Sequence, residues 1–167
     1  MPAVKMFVAL KVPDNASITA FNTLKRMGCK ELKNLERSEY YEFDILGDEN
    51  KFKKDVSNAD ILVNANKHKV SFSLEKGNEK NKENKNNNDN KKNIINVLVQ
   101  DLNSNSGLLS TLKERLGFNN IKKLKNGILW TMFFDEKSNA KKIAVDIAKN
   151  LLVNENYQKY RIISQSD

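Results

Sequence analysis

Thr23-Leu24-Lys25-Arg26-Met27-Gly28 returns downstream as Thr111-Leu112-Lys113-Glu114-Arg115-Leu116-Gly117, one residue longer. Both stretches run from an apolar periodic pattern into a glycine, the residue that most easily takes the left-handed conformation closing a helix. Outward from this pair the echo continues in order. Leu35 answers to Leu124, Tyr41 to Trp130, Phe43 to Met132 and Ile45 to Phe134, and Leu62-Val63-Asn64 is matched by Leu152-Val153-Asn154. One short match carries little weight, but several in the same order at a nearly constant offset indicate an internal duplication.

Each copy reads strand, helix, strand, helix, strand, so the expected class is α+β. Val4 to Lys11 alternates as a half-buried strand does. Asp14, Asn15 and Ser17 then offer N-caps, and Ile18, Phe21, Leu24 and Met27 recur at helical spacing up to Gly28. The second copy has Ser104, Asn105 or Ser106 as caps, Leu108, Leu109, Leu112 and Leu116 as the stripe, and Gly117 as the stop. Tyr41, Phe43 and Ile45 alternate in one second strand, Trp130, Met132 and Phe134 in the other. The second helices carry Phe52, Val56, Ala59 and Val63, or Ile143, Ile147 and Leu151. Val70, Phe72 and Leu74 close the first unit; Tyr160 and Ile162 close the second.

Lys76 through Asn93 separates the copies. It has six lysines against Glu79, Glu83 and Asp89, and no aromatic or aliphatic residue. Such a composition cannot bury apolar surface to offset the entropy of ordering, so a disordered linker is expected, with an r.m.s. reach on the order of 23 Å. The expected division is repeat 1 over 1–75, linker over 76–93 and repeat 2 over 94–167. A unit of about 70 residues buries only roughly 60% of its unfolded surface. Three strands and two helices also leave sheet edges open. The copies are therefore expected to pack as an intramolecular pseudo-dimer, each with its own small antiparallel sheet and two helices.

Composition narrows the functional classes. The chain of 167 residues is 39% hydrophobic and 30% charged, with a net charge of +8. The linker alone holds part of that excess, and the remainder is scattered among acidic neighbours, so nucleic acid is not an expected partner. No apolar run reaches the roughly 20 residues of a membrane span, and the strand-like start lacks signal-peptide features. One cysteine, Cys29, leaves no disulfide framework. A cytoplasmic location is the expectation from these features.

The inventory for catalysis is thin. His68 is the only histidine and Cys29 the only cysteine, which leaves no His cluster or CxxC to hold zinc. There is no GxGxxG and no GxxxxGK[ST] to cradle phosphate. Glu36, Glu39, Glu42 and Asp44 surround a strand and by alternation several face water beside Lys or Arg. Tyr40, Tyr41, Phe43, Trp130, Phe133 and Phe134 could stack bases, but no Lys/Arg-Gly-aromatic run accompanies them. No catalytic residue, metal or cofactor is expected.

The order of elements resembles the PurS family, the small subunit of phosphoribosylformylglycinamidine synthase. That family opens with V-x-V-x-L-K, ends a helix on L-x-x-L-G-[YF], opens a strand with V-R-x-G-K and closes with L-L-x-N-P-x-x-x-x-Y-x-[IV]. Here the opening is Val4-Lys5-Met6-Phe7-Val8-Ala9-Leu10-Lys11, and the helix end is Leu24 to Gly28 or Leu116-Gly117-Phe118. The third motif is kept best in Leu124-Lys125-Asn126-Gly127-Ile128, and the closing one in Leu151-Leu152-Val153-Asn154 through Tyr160-Arg161-Ile162. The proline after the asparagine is replaced by Ala65 and Glu155, and of the family's K-x-G-x-x-D-P-x-G loop Lys11-Val12-Pro13-Asp14-Asn15 keeps the lysine and little else.

The resemblance implies a non-catalytic subunit, bridging an ATP-dependent synthetase (PurL-type) subunit and a glutaminase (PurQ-type) subunit in de novo purine biosynthesis, with the family's dimer fused into one chain. Lys11, Lys125, Asn154, Tyr160 and Arg161 occupy family-like positions and are the expected partner-binding residues. Competing readings are a basic α/β module that binds nucleic acid and a regulatory module holding a small molecule between its halves.

Overall fold

A computed structural model describes residues 2–74, 93–103, 106–135 and 139–164. The elements follow as β1 (Ala3–Leu10), α1 (Asn15–Arg26), β2 (Leu32–Ile45), α2 (Glu49–Val56), β3 (His68–Ser71), β4 (Asn93–Asp101), α3 (Ser106–Glu114), β5 (Ile121–Phe134), α4 (Ala140–Ile147) and β6 (Gln158–Ile163). The class is α+β, as expected. The expectation of a small sheet in each half is corrected, because the six strands form one antiparallel sheet in the order β3-β1-β2-β5-β4-β6. An isolated three-stranded half would leave its longest strand as an open edge, and pairing β2 with β5 removes both edges together. Asn93, expected in the linker, opens β4; residues 76–92 of that expected linker lie outside the described residues, as do Ser104 and Asn105.

Read from either end, the strand order presents a third, a first and a second strand of each half. β2 and β5 are both 14 residues long. They pair from Leu32↔Phe134 to Ile45↔Ile121, with Arg37 opposite Trp130 and Tyr40 opposite Gly127. Loop hydrogen bonds recur too. Asn64 O accepts from the N–H of His68 at 2.8 Å, and Asn154 O from that of Gln158 at 2.8 Å. Lys11 N–H donates to Lys67 O and Leu102 N–H to Tyr157 O, both at 2.8 Å.

Local sequence explains the ends of the helices. Asp14 caps α1 by accepting from Ala16 N–H, and Asp48 caps α2 by accepting from Lys51 N–H. Gly28, at φ +90°, lets Cys29 N–H reach Leu24 O and Gly28 N–H reach Lys25 O, which satisfies two carbonyls the helix leaves open. In the second half the one-residue-longer stretch ends at a glycine too. There Gly117 N–H bonds Lys113 O, and Phe118 N–H reaches back to Leu112 O.

The four α-helices among the described residues cover one face of the sheet in two clusters. In one, Val4, Met6, Phe43, Phe52 and Val56 of the first half pack with Leu112, Ile121 and Leu124 of the second. In the other, Leu24 and Leu35 of the first half pack with Val97, Met132, Phe134 and Ala144 of the second. Each half therefore contributes its first helix to the other's core. Asp14 and Arg37 form an ion pair at 3.4 Å, and the Arg37 guanidinium lies 5.9 Å from the Trp130 ring centre, which ties α1 to both central strands.

The apolar stripes are narrower than the sequence suggests. Leu24 and Leu112 are buried, whereas Ile18, Met27 and Leu116 are exposed, because four helices share one sheet face and the first of each half meets it along a thin line. Leu151, expected in the stripe of the second helix, is also exposed. A π-helical turn over Ala148–Leu152 follows α4, and its wider winding rotates Leu151 off the stripe. In the first half Ala59 and Val63 remain buried although α2 stops at Val56. β3 spans only His68–Ser71, so Phe72 and Leu74 pack from beyond its end.

Candidate functional site: the helix-free face of the sheet

Strand alternation puts Tyr41, Phe43 and Ile45 under the helices and turns Tyr40 and Glu42 to the opposite face. No described helix lies there. Phe7, Tyr40, Leu98, Leu129 and Ile163 form a small apolar cluster along this face, against which Leu74 packs. The Phe7 and Tyr40 rings are tilted at 57° with centroids 5.6 Å apart.

A polar network borders that cluster. The Tyr40 hydroxyl donates to Glu42 Oε2 at 2.6 Å, and Lys125 Nζ donates to Glu42 Oε1 at 2.6 Å. Burial pushes the Tyr40 hydroxyl well above the usual phenol range, and the bond to the Glu42 carboxylate and its charge add to the rise. Burial alone would raise the Glu42 carboxyl. The hydrogen bonds from Lys125 and Tyr40, with the charges of Lys125 and Lys5, outweigh it and hold the group below the usual carboxylate range. On the helix side Tyr41 is likewise raised by burial and by its bond to Glu39.

Gly127 sits opposite Tyr40 at the centre of β5. A Cβ there would stand 2.4 Å from Val99 O and 2.8 Å from Gln100 Cγ, so only glycine admits this approach. Gln100 is buried, and its amide nitrogen donates to Asn126 O at 3.4 Å.

The expected partner-binding residues do not gather at one place. Lys125 and Arg161 both belong to the helix-free face; Arg161 is exposed on β6, opposite Leu98 of β4. Tyr160, paired with Val99, turns to the helices and packs in the second core cluster. Lys11 lies beyond β1, its ammonium donating to Ala65 O at 2.7 Å. Asn154 builds its own turn: its N–H donates to Gln158 Oε1 and its Oδ1 accepts from Asn156 N–H. In the first half Asn64 does the same with His68 Nδ1 and Asn66. Lys11 and Asn154 thus hold turns, and Tyr160 holds core.

In the sequence Tyr40 stood out only as one strand aromatic among six and Glu42 only as one of four acids around a strand, and nothing paired them. The visible signal was the doublet Tyr40-Tyr41, which must send one ring to each face; the lysine opposite Glu42 comes from 83 residues away. Among the described residues no group of three or more His, Cys, Asp or Glu is placed to hold a metal ion. None of the described helices is long and apolar enough to cross a membrane. No protein-family profile matches the chain, and no curated protein matches it in sequence.

Proposed function

We propose that the chain is a non-catalytic, PurS-like bridging subunit, two fused copies of one unit that join a PurL-type synthetase to a PurQ-type glutaminase in purine synthesis. The observation that carries this reading is the register of the sheet. Two strand-helix-strand-helix-strand halves meet through their second strands, and corresponding loop bonds recur in each. A dimer of a small subunit, fused into one polypeptide, accounts for that arrangement. On the helix-free face Lys125 and Arg161 are exposed, and basic groups of this kind pair with carboxylates of a protein partner.

Co-purification with synthetase and glutaminase subunits, in glutamine and ATP, tests the proposal. A stable ternary complex is expected, together with loss of glutamine-dependent amidine formation when the chain is left out. Failure to associate, with glutamine-dependent activity unchanged by omission, would refute it.

A further inference from the structure

The pairing of β2 with β5 is centred on Glu39 and Ile128. Two residues to one side Arg37 lies opposite Trp130, and two residues to the other Asn126 lies opposite Tyr41. Exchanging the halves therefore carries Arg37 onto Asn126. At the first place a cation is built in. The Arg37 guanidinium lies 5.9 Å from the Trp130 ring centre and pairs with Asp14 at 3.4 Å. At the second place neither member of that ion pair is kept: asparagine stands for the arginine, and the connection from Asn103 to Thr111 holds no acidic residue.

What stands there instead is a cavity of about 200 Å³ on the helix side of the sheet. That is far more than the roughly 10–15 Å³ a single water needs. Glu39, Ile128 and Val99 are neighbours across three strands, and Asp101 follows Val99 two residues along β4, so the two carboxylates border an apolar floor. Each is fixed by its own neighbour. The Tyr41 hydroxyl donates to Glu39 Oε2 at 2.9 Å, and the Gln158 amide nitrogen donates to Asp101 Oδ1 at 3.1 Å. Glu39 Oε1 and Asp101 Oδ2 have no hydrogen bond or ion pair among the described residues. Asn126 and Gly127 complete the lining, and although the chain is strongly basic no lysine or arginine belongs to it.

Two strands and two residues separate the Cα atoms of Glu39 and Asp101 by about 12 Å, given the ordinary strand spacing and rise. That spacing suits a ligand with two cationic ends rather than a single ion. We infer that this cavity binds a linear aliphatic dication, an α,ω-diamine or its guanidino analogue. One end lies on Glu39, the other on Asp101, and the methylenes run over Ile128 and Val99. The cavity belongs to the chain by itself and requires neither synthetase nor glutaminase, so its test stands apart from theirs.

The experiment is an NMR titration of the full chain with putrescine and, separately, agmatine, with n-butylamine as the one-ended comparison. Saturable shifts at the backbone amides of Glu39, Val99, Asp101 and Ile128 are expected with at least one of the dications. Glu39→Gln and Asp101→Asn should each weaken that binding about tenfold, the share of one hydrogen bond to a charged group. The monoamine should be weaker by a similar factor. Asn126→Arg, which copies the first half, supplies a cation from within and should abolish binding; the two carboxylate variants decide the matter if it does not fold. Absence of saturable shifts with both dications, unchanged affinity in both carboxylate variants, or n-butylamine binding as tightly as putrescine would overturn the inference.

Discussion

At the scale of single residues, Glu42 shows what alternation can and cannot reveal. Its outward direction is legible, because Tyr41 and Phe43 on either side are apolar. Its chemistry is not, because Lys125 arrives through a strand pairing that no local pattern encodes. The Glu42 carboxyl is depressed in the folded chain, so the folded state is favoured by the ionised form. That stability is present in full above the ordinary glutamate range and drains away as the pH falls through the depressed value. Glu42→Gln should cost about 1–2 kcal/mol at neutral pH, with the half-exposed lysine contributing the smaller share. Denaturation midpoints followed from neutral to acid pH should then converge between the variant and the parent. A gap that stays constant with pH would show that the charge is irrelevant.

At the scale of elements, the strands and the Asp14 cap of α1 were readable, while helix faces were less so. Gly28 and Gly117 end their helices with positive φ, as expected of the repeated glycine. The exposed Ile18, Met27 and Leu116 show where periodicity overstated burial, since a stripe records which residues could be covered and the shared sheet decides how many are. Gly127 is the opposite case, a glycine whose role appears only once β4 lies beside it. Gly127→Ala would drive a methyl into Val99 O, a backbone atom that no rotamer change can move. A loss of about 1–3 kcal/mol is expected, read from the urea midpoint, the range for overpacking a close contact. A variant as stable as the parent would mean that β4 and β5 separate more easily than their pairing implies.

At the scale of the molecule, the echo of residues between the flanks led to the expectation that the two halves would pack together, and the single sheet they share could not be read. Nothing in a single sequence gives the Leu32↔Phe134 register, or places Leu24 in a cluster with Met132 and Ala144. The consequence is direct. A fragment ending at residue 75 would expose the β2 edge and strip α1 of much of its cover, and one beginning at residue 94 would expose β5. Each alone should be unfolded or self-associated by light scattering, and the two mixed should form a one-to-one complex. A monomeric fragment with a cooperative unfolding transition would contradict this.

The long pairing of β2 with β5 also sets a timetable during synthesis. β5 ends about 90 residues after β2. At roughly 5–20 residues per second, the ribosome leaves β2 without its neighbour for several seconds or longer. Through that interval the nascent chain carries an unpaired edge and an uncovered apolar helix, so its yield in the cell should depend on chaperones that shield exactly such half-built sheets.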